Sequence, residues 1–235
     1  MKIQTHPVCI VLSLAWLLWA SIPLAVAQSP APPPPTRPEI TDHYRTMLRY
    51  HQRLDGNVPD RAVVFIGDSL TQGLCTDAVA CPSVNYGIGS DTTVGVLGRL
   101  PHYQHSLKGA SAVVLAIGVN DLMFRDNPSI VTHYGRILRE LPAGVRVVCS
   151  ALLPIHEGIY RPNPGVNNAR IQALNAALKA LCSDDPRCVF VDPRSGLTAP
   201  DGQLRADLQD GDGIHLNSAG NQVWIEALRG ALQPR

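Results

Sequence analysis

The chain has 235 residues, enough for one α/β domain with a full core and short of two. Its 45% hydrophobic and 17% charged content is that of a globular chain. A formal net charge of +1 gives no electrostatic footing for nucleic acid or an anionic membrane surface, so neither is an expected partner.

Lys2 precedes the apolar run "VCIVLSLAWLLWASIPLAVA" (8–27), which closes on Ala25-Val26-Ala27, a small-x-small cleavage site. Residues 1–27 are therefore expected to be a signal peptide cleaved before Gln28, with no stable membrane insertion afterwards. An uncleaved anchor is the alternative, because the run approaches the length of a membrane span. The leader implies an exported protein, periplasmic or extracellular. Residues 28–39, with "SPAPPPPTRP" at 29–38, predict a polyproline II linker that packs no core. The folded domain is expected over 40–235. It opens on an extra amphipathic helix, "EITDHYRTMLRYHQRLDG" (39–56).

Five apolar, β-branched runs follow, at 62–66, 83–86, 112–117, 145–153 and 188–191. Helical periodicity fills the intervals at about 92–107, 129–141, 167–182 and 218–232. This alternation predicts a parallel sheet covered on both faces and wound right-handedly. In such a doubly wound fold, ligands bind beyond the carboxyl ends of the strands. The polar clusters fall there. Gly67-Asp68-Ser69 ends the first strand, "GIGSDTT" (87–93) the second and "GVND" (118–121) the third. "PIHEGIYRPNPG" (154–165) follows the fourth strand, and "GDGIHLN" (211–217) lies between the fifth and the last helix.

The sequence holds six cysteines, one of them (Cys9) in the leader. Cys75 and Cys81 flank a short polar loop, as do Cys182 and Cys188, and each pair is expected to close a local disulfide in an oxidising compartment. Cys149, inside an apolar run, is expected to be a buried thiol. No pair has CxxC spacing, and Asp207, Asp210 and Asp212 lack the downstream glutamate of a calcium loop, so no metal is expected.

A serine hydroxyl attacks only when a base takes its proton and a third group orients that base. Ser69 is the candidate nucleophile and His215 the candidate base. Asp212, three residues earlier, can reach back to the imidazole and fix its tautomer. His102, His105 and His133 lie on helices or helix flanks, where a solvated or core-satisfied ring is the default. His156, in the loop after the fourth strand, is placed as a lining residue. Candidate oxyanion donors are the backbone N–H of Ser69, the side-chain amide of Asn120 and the backbone N–H of Ser90. The bland readings are an N-cap for Asp68 or Ser69 and a turn for Asn120.

GDSL, the glycine-rich turn after the second strand, GVND and Asp-x-x-His resemble the four blocks of the SGNH (GDSL) hydrolases, from about Ala62 to the C-terminus. Within that family, "VNYGIGSDTT" (84–93) and "ALLPIHEGIYRPNPGVNNARIQALNAALK" (151–179) are most similar to acetylhydrolases of the platelet-activating-factor type. The resemblance implies a flavodoxin-like three-layer α/β/α sandwich with a five-stranded parallel sheet, and ester hydrolysis without a cofactor. It makes Ser69 the nucleophile, Asn120 an oxyanion donor, and Asp212 and His215 the remaining dyad. The substrates it implies are short-acyl esters or lysophospholipids.

Ser90 departs from the family pattern, which has glycine there. The backbone N–H survives, but a positive φ costs serine what glycine avoids. Gly89 is the fallback donor and an expected lining residue. A non-catalytic carbohydrate- or lipid-binding module on the same fold is the alternative function. A nucleotide- or flavin-binding protein lacks support, since no GxGxxG follows the first strand. Oligomeric state is left open.

Overall fold

A computed structural model describes Met1, residues 39–161 and residues 163–233. The signal-peptide reading and all but the last residue of the linker lie outside the described residues. Apart from Met1, everything below lies in the unit Ala31–Arg235.

Helix α1 (Asp42–Asp55) opens the fold, capped by Thr41, whose Oγ1 accepts the Tyr44 N–H at 3.0 Å. Then come β1 (Val63–Gly67), α2 (Ser69–Gln72), β2 (Ser83–Gly87), α3 (Thr93–Arg99) and α4 (Gln104–Gly109). The second half runs β3 (Ala112–Ala116), α5 (Asn127–Glu140), β4 (Arg146–Ser150), α6 (Asn168–Ser183), β5 (Cys188–Val191), α7 (Arg194–Leu197) and α8 (Ser218–Leu232). Asp126, Asn167 and Asn217 cap α5, α6 and α8 through their side chains.

The five strands form one parallel sheet in the order β2-β1-β3-β4-β5, the flavodoxin-like winding. Successive side chains point to opposite faces, so alternate residues of one strand enter different cores. Val64, Ile66, Val113 and Leu115 pack with Ile130 and Ile137 of α5 and Ile171 and Leu174 of α6. Phe65 and Val114 pack on the other side with Leu197 of α7 and Trp224 and Leu228 of α8. The result is the expected three-layer α/β/α sandwich.

Three expectations change. The helix at 92–107 is broken into α3, a 3₁₀ turn at Leu100–His102 and α4, because Pro101 has no N–H to continue the α-helical ladder. The apolar run 145–153 is strand only over Arg146–Ser150: the Ala151 N–H makes a last bond to the Val191 carbonyl of β5 at 2.8 Å, and the Leu152 N–H turns instead to Asn175 Oδ1 at 2.8 Å. Cys182 and Cys188 form the expected disulfide, tying the end of α6 to the start of β5. Cys75 and Cys81 do not; both are free and exposed. Their loop is closed instead by a 3₁₀ turn at Thr76–Ala78 and by the Ser83 hydroxyl, which donates to Thr76 Oγ1 at 2.8 Å or Asp77 Oδ1 at 2.5 Å.

Among the described residues, no helix is long and apolar enough to cross a membrane.

Candidate active site

Strand order reverses direction between β1 and its neighbours β2 and β3, and the crevice at their carboxyl ends gathers the polar clusters. Gly67 ends β1 in a tight approach: a Cβ there would sit 2.0 Å from Thr71 Oγ1 and 2.3 Å from the Ala116 carbonyl. Only glycine lets α2 turn back so closely over the strand. Asp68 then caps α2, its Oδ1 accepting the Leu70 N–H at 3.0 Å, and Ser69 becomes the first helical residue.

Ser69 Oγ lies 2.8 Å from His215 Nε2. On the far side of the ring, His215 Nδ1 pairs with Asp212 Oδ2. Asp212 Oδ1 accepts the N–H groups of Ile214 and His215 at 3.0 and 2.9 Å. Burial works to raise the Asp212 pKa, but the bonds from the His215 ring and the two amides outweigh it and hold the carboxyl below its ordinary value. Asp212 is thus ionised, and it keeps the proton on Nδ1 and the lone pair of Nε2 facing Ser69. The dyad is open to solvent, with the His215 and Asp212 side chains 38% and 47% exposed.

The segment that carries the dyad is a built loop. Gln209 pairs with Leu216 as an isolated bridge, and Gln209 Oε1 accepts the N–H groups of Gly211 and Gly213 at 2.6 and 2.9 Å. The His156 N–H donates to the Gly213 carbonyl at 2.7 Å. His156 therefore braces the dyad loop through its backbone, while its Nδ1 is buried without a hydrogen-bond partner. His105 bonds the Val58 carbonyl and His133 bonds Thr93, and neither reaches Ser69.

Asn120 is buried in a 3₁₀ turn at Asn120–Met123, and its amide donates to the Asp91 carbonyl at 3.1 Å. Ser90 has φ +66°, the left-handed conformation that glycine would adopt without strain. The Gly89 N–H, the fallback donor, is committed to Gln72 Oε1 at 2.5 Å.

Beneath the crevice lies a buried charge layer whose pairing the sequence patterns did not reveal. Arg99 is fully buried; it pairs with Asp91 at 2.8 Å and donates to the carbonyls of Tyr86 and Gly67 at 2.7 and 3.0 Å. Asp121 pairs with Arg125 and accepts from the Thr93 N–H and hydroxyl at 2.9 and 2.5 Å. Burial raises the Asp121 pKa to about 6 against those bonds. Asp68, also buried, has no cationic side chain bonded to it, and its pKa rises to about 7, first from burial and then from the charges of Asp91 and Asp121. Asp68, Asp91 and Asp121 stand in the polar clusters of the sequence, whereas Arg99, inside the apolar stretch "VGVLGRL", belongs to none of them.

The family model described as GDSL-like Lipase/Acylhydrolase matches residues 65–223. Platelet-activating factor acetylhydrolase IB subunit alpha1 of Rattus norvegicus is 27% identical over 215 residues, covering 87% of this chain and 90% of the relative. A GDSL-like lipase from Bacteroides thetaiotaomicron superposes with a TM-score of 0.67 at 18% identity, over 78% of this chain and 96% of its own. A catalytic mutant of an acetylxylan esterase from Geobacillus stearothermophilus superposes with a TM-score of 0.58 at 16% identity, over 74% and 97% of the two chains. At those identities the two structures speak to the fold.

Proposed function

Because the chain belongs to the GDSL-like lipase/acylhydrolase family, we propose that it hydrolyses short-acyl esters through an acyl-enzyme on Ser69. The class is that of a carboxylic ester hydrolase; the nucleophile, the intermediate and the acyl length are the proposal. The observation that carries it is the continuous chain from Ser69 Oγ through His215 to Asp212.

Ser69 Oγ attacks the ester carbonyl carbon as its proton passes to His215 Nε2, and Asp212 stabilises the imidazolium that forms. Negative charge develops on the carbonyl oxygen, where the N–H groups of Ser69 and Ser90 and the Asn120 amide are the donors. The bond from Asn120 to the Asp91 carbonyl fixes the orientation of that amide. Collapse of the tetrahedral intermediate expels the alcohol, which takes the proton from His215. Water, deprotonated by the same ring, then frees the acid and restores Ser69.

An acetyl-sized acyl group is supported by the names of an acetylhydrolase and an acetylxylan esterase among the similar proteins. It is supported also by a polar, Pro/Gly-rich loop at 154–165 that offers no long apolar lid. Candidate substrates are O-acetylated sugars, small acetyl esters and lysophospholipids. Export is part of the proposal, resting on the N-terminal leader pattern and the Cys182–Cys188 bridge.

The test is a panel of p-nitrophenyl esters from acetate to palmitate, with Ser69→Ala alongside. Activity should peak at the short acyl end and fall by several orders of magnitude in the variant. A fluorophosphonate should modify Ser69. Modification elsewhere, or an active Ser69→Ala enzyme, would discard the assignment.

A further inference from the structure

The loop between β2 and α3 holds a serine in a conformation that disfavours residues with side chains by roughly tenfold. Two contacts from outside the loop bracket it. Before Ser90, the Gly89 N–H is bonded to Gln72 Oε1 at 2.5 Å, and the same oxygen lies 3.2 Å from His43 Nε2 of α1. After Ser90, the Thr92 hydroxyl donates to Glu39 Oε1 at 2.6 Å, and Glu39 pairs with Arg125, which in turn pairs with Asp121. Asp121 accepts the Thr93 N–H, and Tyr44 of α1 donates its hydroxyl to the Gly95 carbonyl at 2.8 Å. Glu39, His43 and Tyr44 all precede the residues that the family model matches.

We propose that Gln72, supported by His43, and Glu39 are positioning residues that hold Ser90 left-handed and so aim its backbone N–H at the oxyanion. This rests on the reading of Ser90 as an oxyanion donor. The bracket ties the N-terminal helix to the site through the β2–α3 loop. With the bracket gone, the loop relaxes toward negative φ, and the N–H turns away before any substrate contact is lost. Binding in the ground state is then spared and the transition state is not.

A cycle of variants in the full chain tests this. Gln72 is exposed, so Gln72→Ala leaves the core intact. It should lower kcat about tenfold with KM changed less than twofold. Glu39→Ala should act in the same direction. Each is then repeated on a Ser90→Gly background, because glycine populates positive φ about as readily as negative φ. There Gln72→Ala should cost no more than about twofold relative to its own parent. An equal loss in both backgrounds, an unchanged kcat, or a change confined to KM would overturn the proposal. Failure of the wider reading shows separately, as an active Ser69→Ala enzyme.

Discussion

Asp68 is buried beside Ser69, and it borders a small cavity with apolar residues such as Leu70, Ile117, Val119, Leu152 and Trp224. Desolvation comes first in lifting its pKa from 3.8 to about 7, and repulsion from Asp91 and Asp121 adds to it against the pull of His215. The folded chain therefore keeps a proton that the unfolded chain releases between roughly pH 4 and 7. Stability from this residue is fully present below the ordinary carboxyl pKa and is lost as pH rises through about 7. Asp68→Asn removes the ionisation and keeps an oxygen for the Leu70 N–H. Urea unfolding of both proteins at pH 4.5 and 8 should show the variant gaining on the parent by about 3 kcal/mol as pH rises. Parallel pH dependences would mean that Asp68 ionises freely in the fold.

At the scale of elements, the dyad loop is positioned by the segment after β4. Gly213 has φ +81°, and a Cβ there would lie 2.8 Å from the Tyr160 nitrogen and 3.0 Å from the His156 carbonyl oxygen. Gly213→Ala should push residues 211–215 away from Ser69 while leaving the sheet unchanged. A displacement near 1 Å at that distance costs on the order of 10²-fold in kcat. Circular dichroism should be unaltered. Full activity with an unaltered spectrum would show that the loop yields without moving the imidazole. The sequence made the strand ends legible because polar residues break apolar runs there. It could not show the bracing by residues 156–160, because backbone-to-backbone contacts carry no residue signature. Pro101 did carry a signature, its missing N–H, which helical periodicity alone passed over, and two cysteines six residues apart gave no sign that a serine hydroxyl would close their loop instead.

For the molecule as a whole, alternation of strands and helices was enough to give the layers and the winding, since right-handed crossovers leave few other arrangements. The buried charges under the crevice were not legible. Arg99 and Asp91 meet only after α3 folds across the ends of β1 and β2, and nothing in local spacing separates that pair from a surface salt bridge. The Ser69–His215 contact joins residues 146 positions apart, one after β1 and the other beyond β5. A ribosome adding about 5–20 residues per second makes Ser69, the proposed nucleophile, roughly 7 to 30 s before His215, the proposed base. Through that interval the nascent polypeptide carries an inert alcohol. In a synchronised cell-free translation, fluorophosphonate reactivity should lag the appearance of residue 69 by at least that delay, and labelling of shorter nascent chains would refute the dependence on His215. On the proposed mechanism the enzyme is its own timer: while translation is still short of His215, the chain cannot cleave the esters of the compartment in which it is made.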